Sequence, residues 1–186
     1  AGREEPLRVV MHVRLGDVAR RLEQDGLLLS KYQGPAAYLA AVREMLLPAV
    51  ASPNALRIGL TTDTRNHDNV RLIMEGLQQM GVRVALQQWT VLETFHAMTH
   101  SDVLIAGCSG FTDVAGVLRQ GLTIAGPSMY GNSSYLPMHV EVAKAANMCL
   151  GRSPSECVLD GPVASEEDIR AVREWVRSEF PHHAAR

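Results

Sequence analysis

Five short, largely apolar runs, at residues 9–13, 56–60, 82–86, 103–106 and 122–124, set the strongest limit on how this chain can fold. Each is only long enough for one strand, and helical patterns separate them. Such alternation predicts an α/β fold: a Rossmann-like, doubly wound parallel sheet of about five strands with flanking helices. With 186 residues, 46% hydrophobic and 20% charged, the chain can bury one sizeable core, so residues 1–186 read as a single domain.

The intervening segments carry helix signals. Gly34-Pro35 opens a helix expected to reach residue 50, with Leu39, Val42, Met45 and Leu46 on one face. Asp68 is the expected cap of the next, where Val70, Ile73, Leu77 and Met80 form an apolar stripe that Gly81 ends. Thr90 and Glu93 form a T-x-x-E capping box, with Leu92, Phe95 and Thr99 expected to face inward. Further helices are expected at residues 112–119 and 140–146. A last one starts at Ser165, with Asp168 three residues on and Ile169, Val172, Val176 and Phe180 in one stripe. The closing PHHAAR is expected to fray.

Two stretches carry the chemistry. The first strand delivers His12 and Arg14 into a turn at Gly16 and Asp17, an unusual cargo for an interior strand. In open α/β sheets, ligands bind beyond the carboxyl ends of the strands. Thr62 and Asp63 follow the second strand, and Ser109, Gly110 and Phe111 follow the fourth, so the fold predicts that all of them share one rim. The backbone N–H groups of Gly110, Phe111 and Thr112 would open a helix, the usual way a helix start holds phosphate. Arg14 would add a two-pronged donor for phosphate oxygens.

Other chemistries are excluded or unsupported. There is no G-x-G-x-x-G after the first strand, no P-loop sequence and no G-x-S-x-G. A net charge of −2 without a basic stripe argues against nucleic-acid binding. No apolar run approaches membrane-spanning length, so no membrane contact is expected. His96 and His100 have metal-ligand spacing but no third ligand in view, and no metal site is expected. Cys108, Cys149 and Cys157 form no CxxC pair; buried or free thiols are expected, with a Cys149–Cys157 bridge open in an oxidising compartment. Asn132-Ser133-Ser134 is a formal glycosylation sequon.

Together the two stretches resemble a family. His12-Val13-Arg14-Leu15-Gly16-Asp17 is similar to the H-x-R-R-G-D motif of the GDP-fucose-dependent fucosyltransferases. Ser101-Asp102-Val103-Leu104-Ile105, followed by Cys108-Ser109-Gly110-Phe111-Thr112, is similar to that family's later motif, an Asp-led strand before S-S-F-S. The resemblance covers residues 7–126. It implies the C-terminal, donor-binding half of a GT-B-type glycosyltransferase that inverts configuration and needs no metal or other cofactor. Its donor would be GDP-fucose and its acceptor a glycan or protein hydroxyl. By the same resemblance Arg14 holds the diphosphate and His12 lines the pocket, these two being the catalytic candidates. Asp102 pairs with guanine, and Ser109, Gly110 and Phe111 meet the β-phosphate; Asp63 is added to the donor-binding candidates by the shared rim, not by the resemblance. The family motif begins almost at residue 1, which implies an isolated donor lobe, inactive alone; a eukaryotic member would work in the Golgi or endoplasmic reticulum lumen. Leu15 stands where the family has a second arginine, and Gly110 where serine is common. The same residues also fit a non-catalytic nucleotide or sugar-phosphate binding module.

Overall fold

The computed structural model describes residues 5–16, 34–107, 109–125, 139–141 and 165–185. Its strands are β1 (Leu7–Val13), β2 (Leu56–Thr62), β3 (Arg83–Leu86), β4 (Val103–Ala106), β5 (Leu122–Ala125) and β6 (His139–Glu141). They form one sheet in the order β3-β2-β1-β4-β5-β6, with every neighbouring pair parallel. The α/β, Rossmann-like architecture expected from the alternation is present. The direction of winding reverses between β1 and β4, which places the switch point of the sheet there.

Period-two alternation sorts β1 between two layers. Leu7, Val9, Met11 and Val13 join a large apolar cluster with α1 (Pro35–Ala40), α2 (Asp68–Gln79) and α5 (Glu166–Glu179). Val10 joins a smaller cluster on the other face, under α3 (Val91–His100) and α4 (Gly110–Leu118). Burying each such aliphatic side chain stabilises the fold by about 1.5–3 kcal/mol, so the β1 run alone is a main source of cohesion.

Several local expectations are corrected. The first helix is α-helical only to Ala40; it continues as a π-helix over Ala41–Leu46 and a 3-10 turn over Leu47–Ala49. Pro48 has no N–H to continue the α ladder, and Leu47 N–H donates instead to Val42 C=O. His67, not Asp68, caps α2, its Nδ1 accepting from Asn69 N–H at 3.1 Å. Gly81 ends the element with a φ of +74°, a conformation that favours glycine. The Thr90–Glu93 capping box forms as expected, but α3 buries Thr94 and Met98 while Leu92 is exposed. Helix α4 starts at Gly110 rather than residue 112. Where a helix was expected at 140–146, residues 139–141 are strand, parallel to β5; the alternation His139-Val140-Glu141-Val142 has the strand period. Residues 142–146, the sequon and all three cysteines lie outside the described residues.

The tail is docked, not frayed, as far as Ala185. Ala51 N–H donates to His183 C=O at 2.7 Å and Ala185 N–H to Ala49 C=O at 2.9 Å, while buried Phe180 anchors the turn. Among the described residues no helix is long and apolar enough to cross a membrane.

Candidate functional site

The carboxyl ends of β1 and β4 lie side by side, because His12 is the register partner of Ala106. Gly107 N–H extends that ladder to His12 C=O at 2.9 Å. A Cβ on Gly107 would stand 2.8 Å from the His12 carbonyl oxygen, 2.9 Å from the Tyr38 hydroxyl and 3.3 Å from the Arg14 nitrogen. Glycine is therefore what lets the turn after β4 pass directly over the turn after β1. The two stretches singled out in the sequence meet at the switch point of the sheet.

Ser109 makes the turn into α4 rigid. Its Oγ accepts from Thr112 N–H at 3.2 Å, and Thr112 Oγ1 donates to Gly107 C=O at 2.5 Å. Ser109 is fully buried, so its hydroxyl serves the cap and is not presented to solvent. What the helix start offers is the backbone: the N–H groups of Gly110 and Phe111 are in its first turn, where α-helical bonding gives them no partner. Phe111 folds back against His12, ring centroids 5.8 Å apart and edge-on, and also packs on Phe95 at 5.5 Å.

His12 is the unusual group. It is 9% exposed, and its Nδ1 is buried with no hydrogen-bond partner among the described residues. Burial pushes its pKa down to about 4; the Asp63 carboxylate pulls it up and the Arg14 guanidinium pushes it further down. The ring is neutral at pH 7, and its Nδ1, shut off from solvent, makes no hydrogen bond among the described residues. Arg14 is half-buried one residue beyond β1, close enough for its charge to act on His12.

Asp63 has a structural task. Its Oδ1 accepts from Leu15 N–H at 3.0 Å and Gly16 N–H at 3.1 Å, tying the turn after β1 to the end of β2. Asp63→Ala is expected to lose about 1–2 kcal/mol, the net worth of two such bonds at an exposed carboxylate. Urea denaturation should show it as a lower midpoint, with Asp63→Asn recovering part; unchanged midpoints would mean the turn holds itself.

Asp102 is not brought to this rim. It precedes β4 at the opposite, amino end of the sheet, roughly 16 Å along the strand from Gly107. There its carboxylate accepts from Arg8 N–H at 2.8 Å and pairs with the Arg8 guanidinium at 3.3 Å. The reason is topological: a residue leading a strand and one trailing it lie at different edges of the same sheet. His96 and His100 stack on each other, centroids 4.1 Å apart, and no cluster of three metal-ligating side chains occurs among the described residues.

Three contributors were not singled out in the sequence. Tyr38 reaches the Gly107 turn from α1, Thr94 sits beside Thr61 with hydroxyls 3.4 Å apart, and Asp113 is buried in the first turn of α4. Desolvation raises the Asp113 pKa above its ordinary value. Only Asp113 left a signal, an acid early in a helix; the other two lie on faces that only packing defines.

Compared with family models and with curated proteins, the chain matches none.

Proposed function

We propose that this chain is a nucleotide-sugar donor lobe that holds the diphosphate of GDP-fucose for inverting, metal-independent transfer to a glycan or protein hydroxyl. One observation carries the reading: the His12–Arg14 turn and the first turn of α4 adjoin at the switch point, around a buried His12 whose Nδ1 has no partner among the described residues. The motif resemblance supplies the sugar nucleotide. When the donor breaks, negative charge builds on the departing β-phosphate, and fixed donors shielded from water stabilise it most. Arg14 and the Gly110 and Phe111 amides are the donors for that charge. His12, neutral and edge-on to Phe111, lines the pocket. Asp102, held by Arg8, takes no part, so another residue reads the base.

Calorimetry with GDP, GDP-fucose and UDP tests the proposal. Saturable GDP binding that exceeds UDP binding is expected, weakened about tenfold or more by Arg14→Ala, the cost of one charge-assisted phosphate contact. No GDP binding, or a preference for UDP, removes it. A second reading, a non-catalytic binding module, is favoured by Leu15: it is fully buried where the family carries a second arginine. Under that reading GDP still binds, and donor turnover by the full-length protein is absent.

A further inference from the structure

The face of the sheet that carries Val10 is covered by α3 and α4 near β1 and β4, yet over β2 and β3 it leaves Arg57, Arg83 and Ala85 exposed. Parallel sheets are almost always covered on both faces. The open quadrant is a groove of about 700 Å³, a volume typical of small-molecule sites. Its lining includes Arg8, Arg57 and Arg83, which are register partners on three adjacent strands. Neighbouring strands lie about 4.8 Å apart, so three guanidinium stems start from one tight row.

Like charges facing each other across strands are destabilising, and only part of this row is compensated. Arg8 pairs with Asp102. Arg83 donates to the neutral Asn54 carbonyl at 2.7 Å, which leaves its charge intact. The Arg57 guanidinium, in the middle, makes no hydrogen bond or ion pair with any described residue. Beside the arginines the floor is low, because Gly59 and Ala85 are small, and the Trp89 ring lies over Gly59, its Cη2 3.1 Å from where a Cβ would be. A row of cations beside an indole is chemistry for an anion with an apolar or planar body.

We propose that this groove is a second anion site, separate from the His12–Arg14 rim, taking a small oligophosphate, free or on a nucleotide, that bridges Arg57 and Arg83. Arg8 and His12 are four residues apart on β1, roughly 13 Å, so the two sites can be told apart by substitution. Trp89 reports on the groove once the only other tryptophan is removed with Trp175→Phe. In that background, titration with sodium tripolyphosphate at low ionic strength is expected to give a saturable change in Trp89 fluorescence. Arg57→Gln, at an exposed position that leaves the fold intact, weakens it about tenfold or more. Arg83→Gln does the same, and Arg14→Gln leaves it unchanged. A parallel titration with a nucleoside triphosphate separates the sources: equal affinity assigns the groove to the free oligophosphate, tighter binding to an organic phosphate whose ring packs on Trp89. No saturable change, equal binding by Arg57→Gln, or loss through Arg14→Gln overturns the proposal.

Discussion

Arg119→Met is expected to cost the folded state about 3–5 kcal/mol, the range for removing a buried, fully engaged charge. Arg119 is 2% exposed, and its guanidinium fans out among acceptors from three places in the chain. Nε donates to Met98 C=O at 3.2 Å, Nη2 to Ser101 C=O at 2.7 Å and Ser101 Oγ at 3.2 Å, and Nη1 to Leu122 C=O and to Thr123 Oγ1 at 3.1 Å. One side chain thus joins the end of α3, the turn into β4 and the start of β5. Burial pushes its pKa down to about 10, partly opposed by Asp102, which still leaves it charged at neutral pH. Methionine would fill the space and leave three buried carbonyl oxygens without this donor, each costing on the order of 1–3 kcal/mol if nothing replaces it. Lysine keeps the charge but cannot reach all the acceptors, so Arg119→Lys should fall between the two. Urea denaturation with an unchanged slope checks this; a loss below about 1 kcal/mol would show that water satisfies those carbonyls.

Lowering the pH is expected to destabilise the protein through His12. Its folded pKa is about 4 against 6.5 for a free histidine, so between those values the unfolded chain binds more protons than the native one. Stability therefore rises with pH across that window: the contribution is intact above about pH 6.5 and is lost as pH falls toward 4. The full loss is about 3 kcal/mol, from the separation of the two values. His12→Gln removes the titration while keeping a polar side chain. Between pH 6.5 and 4, wild-type stability should fall more steeply than that of the variant, the carboxylates cancelling in the comparison. Parallel curves would mean that protonated His12 finds an acceptor in the folded state.

The strands were the most legible part of the sequence. Residues 103–106 are apolar throughout, and 122–125 apolar but for Thr123, because both faces of these strands are buried, and such a run beside glycine admits few other readings. The Thr90–Glu93 box was equally clear, since its two reciprocal bonds are local. The face of α3 was not: Leu92 fits the helical stripe, but the sheet it would pack against lies on the other side of the helix. The candidate site divides the same way. His12, Arg14 and the start of α4 could be placed on one rim from strand order alone, whereas Asp102, which leads the second motif, belongs to the opposite end of β4.

By itself, then, the sequence determined the local elements and which residues follow each strand, because hydrophobic period, glycine and capping act over a few residues. Tertiary structure decided everything that depends on neighbours distant in the chain: the order 3-2-1-4-5-6, the approach of Gly107 to His12, the burial of Arg119 and the row of arginines on β1, β2 and β3. Register between strands and desolvation of side chains arise only when separate segments share a surface, and no short window of sequence contains both partners.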